Sequence, residues 1–208
     1  MLSFIHQYFP QFTLDQLSQF ETALNVYKEW NEKINVVSRK DIDNLEERHF
    51  LHSLAICNVI SFAPQTQIID MGTGGGFPGI PLAIAFPDSE FLLVDSIGKK
   101  LRVAEQVAME CGLSNVKTQH IRSEQLKTKC DFVTGRAVET IPEFYSHVKH
   151  LVRSGSESTL SNGILYLKGG DVADEIKNFP LKVKEYPISK MYKEEFFETK
   201  KVIYIPFK

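Results

Sequence analysis

Five glycines fall within eight residues, at positions 72, 74, 75, 76 and 79, directly after the short apolar run Ile68-Ile69-Asp70-Met71. No other stretch constrains the fold as tightly. A glycine inside a helix or strand costs roughly 0.5–1 kcal/mol relative to alanine, so the cluster has to be a turn. Its backbone is free to curl tightly, or to approach another group without Cβ collisions. The apolar run in front reads as a strand, and residues 80–86, stopped by Pro87, read as the helix behind it.

The same alternation continues down the chain. Residues 91–95, 116–121, 131–134 and 164–167 read as further strands. Residues 99–111, closed by Gly112, then 142–152 and a short piece near 171–179 read as helices, with a polar loop over 153–163. Two extended segments, 182–189 and 201–206, close the chain with no crossover helix between them. Strands alternating with helices predict an α/β, Rossmann-like fold: a mostly parallel seven-stranded sheet with a C-terminal antiparallel hairpin at one edge. Residues 1–66 read instead as an N-terminal helical extension to a domain over 67–208. Thr13 and Gln16 have capping-box spacing, and Leu14, Leu17, Phe20, Leu24, Tyr27 and Trp30 follow at helical intervals. A second helix is expected over 41–62, with Ile42, Leu45, Leu51, Leu54 and Ile56 as its apolar positions and Pro64 ending it.

Composition narrows the function classes. Lys and Arg total 24 against 26 Asp and Glu, a net charge of −2, which excludes a strongly basic nucleic-acid binder but not a local basic patch. Residues 1–66 hold 8 acids and 5 bases, so neither part of the chain is a charged tail. Cys57, Cys111 and Cys130 are too scattered for a disulfide framework or a zinc site, and each has apolar neighbours. The N-terminus lacks a basic segment followed by a long apolar one, and no apolar run approaches the ~20 residues of a membrane span. A soluble, reduced, cytoplasmic protein without a metal is expected.

The glycine turn admits two ligand readings. Gly74-x-Gly76-x-x-Gly79 fits the dinucleotide fingerprint, while Asp70-x-Gly72-x-Gly74-x-Gly76 fits the motif of S-adenosylmethionine-dependent methyltransferases. Asp70 favours the second, because its carboxylate could hold the loop or face a cationic amino-acid moiety, whereas a pyrophosphate would gain nothing from it. Pro78 and Pro81 suit a first helical turn wrapped around a compact ligand. Asp95, ending the second strand, could accept both ribose hydroxyls of an adenosine or cap the next helix. Ser123-Glu124 follows the third strand, where the adenine edge would lie.

The fourth strand ends Thr134-Gly135-Arg136-Ala137-Val138. It carries neither the Asn/Asp-Pro-Pro-aromatic run of exocyclic-amine methyltransferases nor the Pro-Cys pair of enzymes that make 5-methylpyrimidines. Arg136 offers a planar cation for a carboxylate, a phosphate or the O6/N7 edge of guanine, and is equally readable as a partner of Asp70 or Glu124. Lys168 ends the next strand on the same rim.

In these residues the chain resembles the bacterial small-subunit (16S) ribosomal RNA guanine-N7 methyltransferase family, formerly called glucose-inhibited division protein B. The resemblance runs from about Trp30 to Gly170. It rests on Trp30-Asn31-x-x-x-Asn35, Arg48-His49 with Ser53-Leu54, the stretch from Asp70 to Pro81, Val94-Asp95-Ser96-x-Gly98-Lys99, Arg122-x-Glu124, Arg136-Ala137 and Leu167-Lys168-Gly169. It implies a class I methyltransferase fold, S-adenosylmethionine as cofactor, and small-subunit ribosomal RNA or the ribosomal particle as partner; a monomer is expected. By the same resemblance Gly72, Phe77, Ser123, Glu124 and Arg136 touch the cofactor, joining Asp70, Gly74, Gly76 and Asp95 of the motif reading. Arg122, Arg136 and Lys168 are the implied catalytic residues on the RNA-facing side. His52 stands where the family often has Asp.

Guanine N7 carries a lone pair and no proton, so the expected reaction is direct attack on the sulfonium methyl with no strong general base. The target should be unpaired or extruded, because A-form RNA buries N7 in a deep, narrow groove. Bases should gather at Lys33, Arg39, Lys40, Arg48 and His49 and along the Arg122–Arg136–Lys168 rim, with Asp70, Asp95 and Glu124 on the cofactor side. Lys99, Lys100 and Arg102 add to the basic count near Asp95. The rival readings are a small-molecule methyltransferase of the same fold, a nicotinamide-dependent oxidoreductase, and a non-catalytic RNA-binding module.

Overall fold

Neighbouring residues of a strand point to opposite faces, so Ile68 and Ile69 of β1 (Gln67–Met71) enter two separate apolar clusters. The same division holds along the central strands. Phe91, Leu93, Phe132, Leu165 and Leu167 meet one cluster, and Val94, Val133, Ile164 and Tyr166 the other. A sheet buried on both faces needs helices on both, which is the origin of the layered architecture in this computed structural model. The structure describes residues 2–38, 41–137 and 139–207. Arg39, Lys40 and Val138, named above in the basic group and the rim segment, lie outside the described residues.

The strands are β1, β2 (Glu90–Asp95), β3 (Val116–His120), β4 (Phe132–Arg136), β5 (Gly163–Gly169), β6 (Lys184–Pro187) and β7 (Lys200–Pro206), in the spatial order β3-β2-β1-β4-β5-β7-β6. The first five run parallel, while β7 pairs antiparallel with both β5 and β6. The Rossmann-like fold and closing antiparallel pair read from the sequence are therefore present, with β7 inserted between β5 and the edge strand β6. Strand order reverses between β1 and β4, and the loops leaving their carboxyl ends form the crevice where ligands bind in such sheets.

On one face lie α1 (Ser3–Tyr8), α2 (Leu14–Lys33), α3 (His52–Leu54), α4 (Gly79–Ala85) and α5 (Gly98–Glu110); α6 (Ile141–Val148) and α7 (Ala173–Ile176) cover the other. The capping box forms as the spacing predicts: Thr13 Oγ1 accepts from Gln16 N–H, and Gln16 Oε1 accepts from Thr13 N–H. The Gln16 amide also donates to Ile84 O at 2.9 Å, tying the start of α2 to the end of α4. Leu2, Phe20, Tyr27 and Phe50 share a cluster with Ile68 and Ile80, so the apolar core crosses the boundary at residue 66 suggested by the sequence. None of the described helices is long and apolar enough to cross a membrane.

The expected helix over 41–62 is a correction. The segment is a 3-10 turn (Ile42–Asn44), a π-helix (Glu46–Leu51), the single turn α3 and a second 3-10 turn (Ala55–Asn58). Its apolar positions do not hold a 3.6-residue period, and the wider π-turn brings Phe50, Leu51 and Leu54 into the core together. π-turns concentrate at functional sites. The other helix expectations stand with ends moved by a few residues, except that the piece near 171–179 shortens to α7.

Gly79 is required by packing at the start of α4. A Cβ there would run into the Leu93 side chain and stand 2.8 Å from Asp70 Oδ2. Gly79→Ala is expected to cost about 2 kcal/mol or more, the scale of an overpacked core. Thr13→Ala, which removes only the cap, should cost about 1 kcal/mol in the same urea titration.

Candidate active site

A loop rich in glycine has little of its own to hold it, so its shape depends on what grips it from outside. Asp70 does most of this. Its carboxylate is fully buried at the end of β1; Oδ2 accepts from the Thr73 hydroxyl and from Gly79 N–H (2.9 Å), and Oδ1 accepts from the Thr134 hydroxyl of β4 (3.0 Å). Burial raises its pKa, against the three hydrogen bonds and the Arg136 charge, which favour the ionised form. Of the two roles read from the sequence, this is the holding of the loop. Asp95 grips the other side: Oδ2 accepts from Gly74 N–H and Oδ1 from Ile97 N–H, both at 2.7 Å. The capping reading of Asp95 does not hold, since the following helix has Ile97 as its N-cap and no side-chain cap; the ligand-facing reading stays open, because each oxygen retains a second acceptor site. From α2, the Tyr27 hydroxyl donates to Gly75 O at 2.7 Å, and its ring stacks on Phe77 at 4.7 Å.

These grips leave a cleft of about 550 Å³ at the carboxyl edge of β1, β2 and β4. Gly72, Gly74, Asp95, Ser123, Glu124 and Arg136 line it, six of the nine residues expected to bind the cofactor. Gly74 adopts φ +57, and a Cβ on it would meet nothing within 4 Å, so the backbone there is open to a ligand. Asp70, Gly76 and Phe77 stand behind the wall, with Phe77 packed among Tyr27, Phe50 and His49.

Arg136 ends β4, after which the chain turns through Ala137 in the left-handed region (φ 49). Strained conformations of this kind cluster at functional sites. The guanidinium lies 5.0 Å above the Phe77 ring and donates from Nη2 to His49 Nδ1 at 2.9 Å. A guanidinium has only donors, so His49 is the acceptor and must be neutral. Burial, then the charge of Arg136, pushes its pKa down to about 3. Burial also lowers Arg136 to about 10, although Asp70 and Tyr27 oppose the shift. Neither Asp70 nor Glu124 is its partner, as the sequence had allowed, and Nη1 is buried without any hydrogen bond.

The three expected catalytic cations are not brought together. Arg122 and Arg136 share the cleft with Asp95 and Glu124, so the acids and bases are not sorted to separate sides as expected. Lys168 lies in the adjoining recess, where Nζ donates to Glu139 O (3.0 Å) and pairs with Glu175 (3.1 Å). Sequence reasoning assigned no role to Tyr27 or Thr134, or to His49 as the acceptor for Arg136. It also passed over Glu139, Phe144 and His147, which line the cleft from α6 and the loop before it. His147 Nδ1 lies 2.9 Å from Glu139 Oε1, and that bond, with Glu139, Glu124 and Glu143 around it, raises the imidazole pKa despite partial burial. The helix itself was expected from residue 142, and its start carries both Pro142 and the capping box Thr140–Glu143. Among the described residues, no group of three His, Cys, Asp or Glu side chains could hold a metal ion.

The family described as rRNA small subunit methyltransferase G matches residues 16–201. The chain is 50% identical to the ribosomal RNA small subunit methyltransferase G of Flavobacterium psychrophilum, over 98% of this chain and 97% of that one. It is 51% identical to the protein of the same name from Christiangramia forsetii, over 100% and 98%. Among solved structures, a SAM-dependent methyltransferase from Aquifex aeolicus shares the fold, with TM-score 0.57 at 11% identity, over 81% of this chain and 98% of that one.

Asp70→Ala leaves two hydroxyls and one N–H without their acceptor, and is expected to lower stability by about 3 kcal/mol or more in denaturant titrations. The two histidines should titrate in opposite directions by NMR. His147 should have a pKa above 6.5 that falls toward 6.5 in Glu139→Gln, and His49 should stay neutral down to about pH 4. The stability contributed by His147 is full below its unfolded pKa and lost as pH rises through the folded one. That contributed by His49 is full above about 6.5 and lost as pH falls toward 3.

Proposed function

The chain belongs to the rRNA small subunit methyltransferase G family, and from that premise we propose that it transfers a methyl group from S-adenosylmethionine to N7 of a guanine in small-subunit ribosomal RNA. The observation that carries the reading is the cradle at the β1/β4 switch point, where Asp70 and Asp95 hold an open glycine backbone beside the half-buried cation Arg136.

The residues of the cleft fit this cofactor. Gly72 and Gly74 allow close backbone approach, Asp95 keeps acceptor sites for two ribose hydroxyls, and Ser123 with Glu124 would border the adenine. The unpartnered Nη1 of Arg136 is a donor for a carboxylate. When bound, S-adenosylmethionine supplies a methyl group on a cationic sulfonium, open to a lone pair arriving in line. No general base is needed at N7, and neither histidine near the cleft is free to act as one. His49 serves as an acceptor for Arg136, and His147 is paired to Glu139. None of the residues lining the cleft is a cysteine, and burial pushes the Cys111 and Cys130 thiols up to about 12, and Cys57 higher still.

The work left to the protein is alignment and the exclusion of water, which can lower a bimolecular barrier by several kcal/mol. Arg122, exposed on the rim, is placed to meet RNA phosphate. Arg136 orients groups at the reacting centre, and Lys168, tied to Glu139 and Glu175, shapes the rim. The reading includes a cytoplasmic enzyme that acts as a monomer and without a metal.

Mass mapping of small-subunit ribosomal RNA from cells with and without this protein tests the assignment. Loss of one 7-methylguanosine is expected, and an unchanged pattern would overturn it. The affinity of the purified protein for its RNA should also fall steeply with added salt, as counterions released from phosphates require.

A further inference from the structure

Phe196 lies in the segment between β6 and β7, from which the sequence suggested no site residue. Two cations converge on its ring: Cζ of Arg48 lies 5.4 Å from the centroid, and Nζ of Lys200 lies 5.0 Å from it. They come from distant parts of the chain. Arg48 belongs to the π-helix, while Lys200 opens β7, whose antiparallel pairing sets it beside Gly169 at the carboxyl end of β5. The lysine side chain runs close over Gly169, where a Cβ would stand 2.8 Å from Lys200 Nζ. The antiparallel insertion of β7 thus delivers a lysine to the same edge of the sheet as Arg136.

The positive charge gathered here is incompletely answered. Asp41 pairs with Arg48 Nη1 at 2.7 Å, Glu47 also feels the charge of Arg48, and Glu194 accepts from the Tyr8 hydroxyl. Among the described residues no carboxylate lies within 4.0 Å of Lys200 Nζ. Arg48 Nε is buried and has no hydrogen-bond partner. Two cations drawn to one ring repel each other, and a single anion that reached the exposed part of the Arg48 guanidinium and Lys200 Nζ would relieve that repulsion. His52 fits the same account. Its imidazole is buried against Phe196 and Phe197, with centroids 5.6 and 6.0 Å apart, and burial with the charges of Arg136 and Lys200 holds it neutral.

We propose that Arg48, Lys200 and the ring of Phe196 form a seat for one backbone phosphate of the RNA, beside the nucleotide whose base enters the cleft. The seat rests on the RNA-methylating reading above. A phosphodiester supplies one negative charge and acceptor oxygens, matching the guanidinium N–H groups of Arg48 and the point charge of Lys200. An extruded nucleotide needs its backbone held while its base leaves the stack, and phosphate contacts provide that positioning without reading sequence.

Lys200→Gln is the test, with Lys200→Arg beside it. Methyl transfer is measured on small-subunit RNA and particles from cells lacking the protein, over a range of salt, with Tm and the Kd for S-adenosylmethionine recorded for each variant. Lys200→Gln should raise KM for the RNA substrate about tenfold and flatten the slope of log KM against log salt by about 0.7. Its Kd for the cofactor should match wild type, and Lys200→Arg should recover most of the loss. A Lys200→Gln enzyme with wild-type KM and salt slope overturns the seat alone. A wild-type protein that transfers no methyl to either substrate overturns the RNA-methylating reading, and the seat with it.

Discussion

The buried carboxylate of Asp70 is the constraint on which the site depends. A backbone of glycines loses more conformational freedom on ordering than any other, and it offers no side chains to pack in return. Asp70 supplies the missing grip by accepting from Thr73 at the start of the loop, Gly79 at its end and Thr134 on the neighbouring strand. One side chain therefore sets the loop's span and ties β1 to β4 at the point where strand order reverses. Burying a carboxylate is costly unless it is hydrogen-bonded, and here those bonds are the donors the loop needs satisfied.

The N-terminal helices have a part in the same arrangement. Tyr27 reaches from α2 to the carbonyl of Gly75 and stacks on Phe77, which in turn lies beneath Arg136 and against His49. The helical segment is thus the back wall of the cleft as well as a cover for one face of the sheet. The π-helix is where this wall turns polar. It buries Phe50 and Leu51 while directing His49 to Arg136 and Arg48 to Phe196. A regular helix over the same residues would carry these groups around its axis with a different period.

Electrostatically the cleft is mixed. Arg122, Lys100 and Arg136 share it with Asp95, Glu124 and Glu139, and the net charge of −2 conceals cations held close together at the edge of the sheet. The neutral state of His49 follows from the same crowding, because a second positive charge beside Arg136 in a buried setting would be expensive.

Much of this was legible in the chain. The short apolar runs at 68–71 and 91–95, the glycine turn and the Thr13 cap are local signals, set by backbone sterics and by residues a few positions apart, so the strands, most helices and the positions of Asp70 and Asp95 could be read directly. The irregular segment at 41–62 was not legible, because its winding is dictated by what it packs against. Nor were the pairings: Thr134 lies 64 residues from Asp70, and His49 lies 87 from Arg136. Arg48 and Lys200 meet only because β7 runs antiparallel into the sheet. The sequence by itself determined which elements form and that a glycine loop with acids at strand ends faces a ligand. Only the tertiary structure decided which side chain satisfies which, since a hydrogen bond between distant residues depends on the relative placement of whole elements, and no local pattern encodes it.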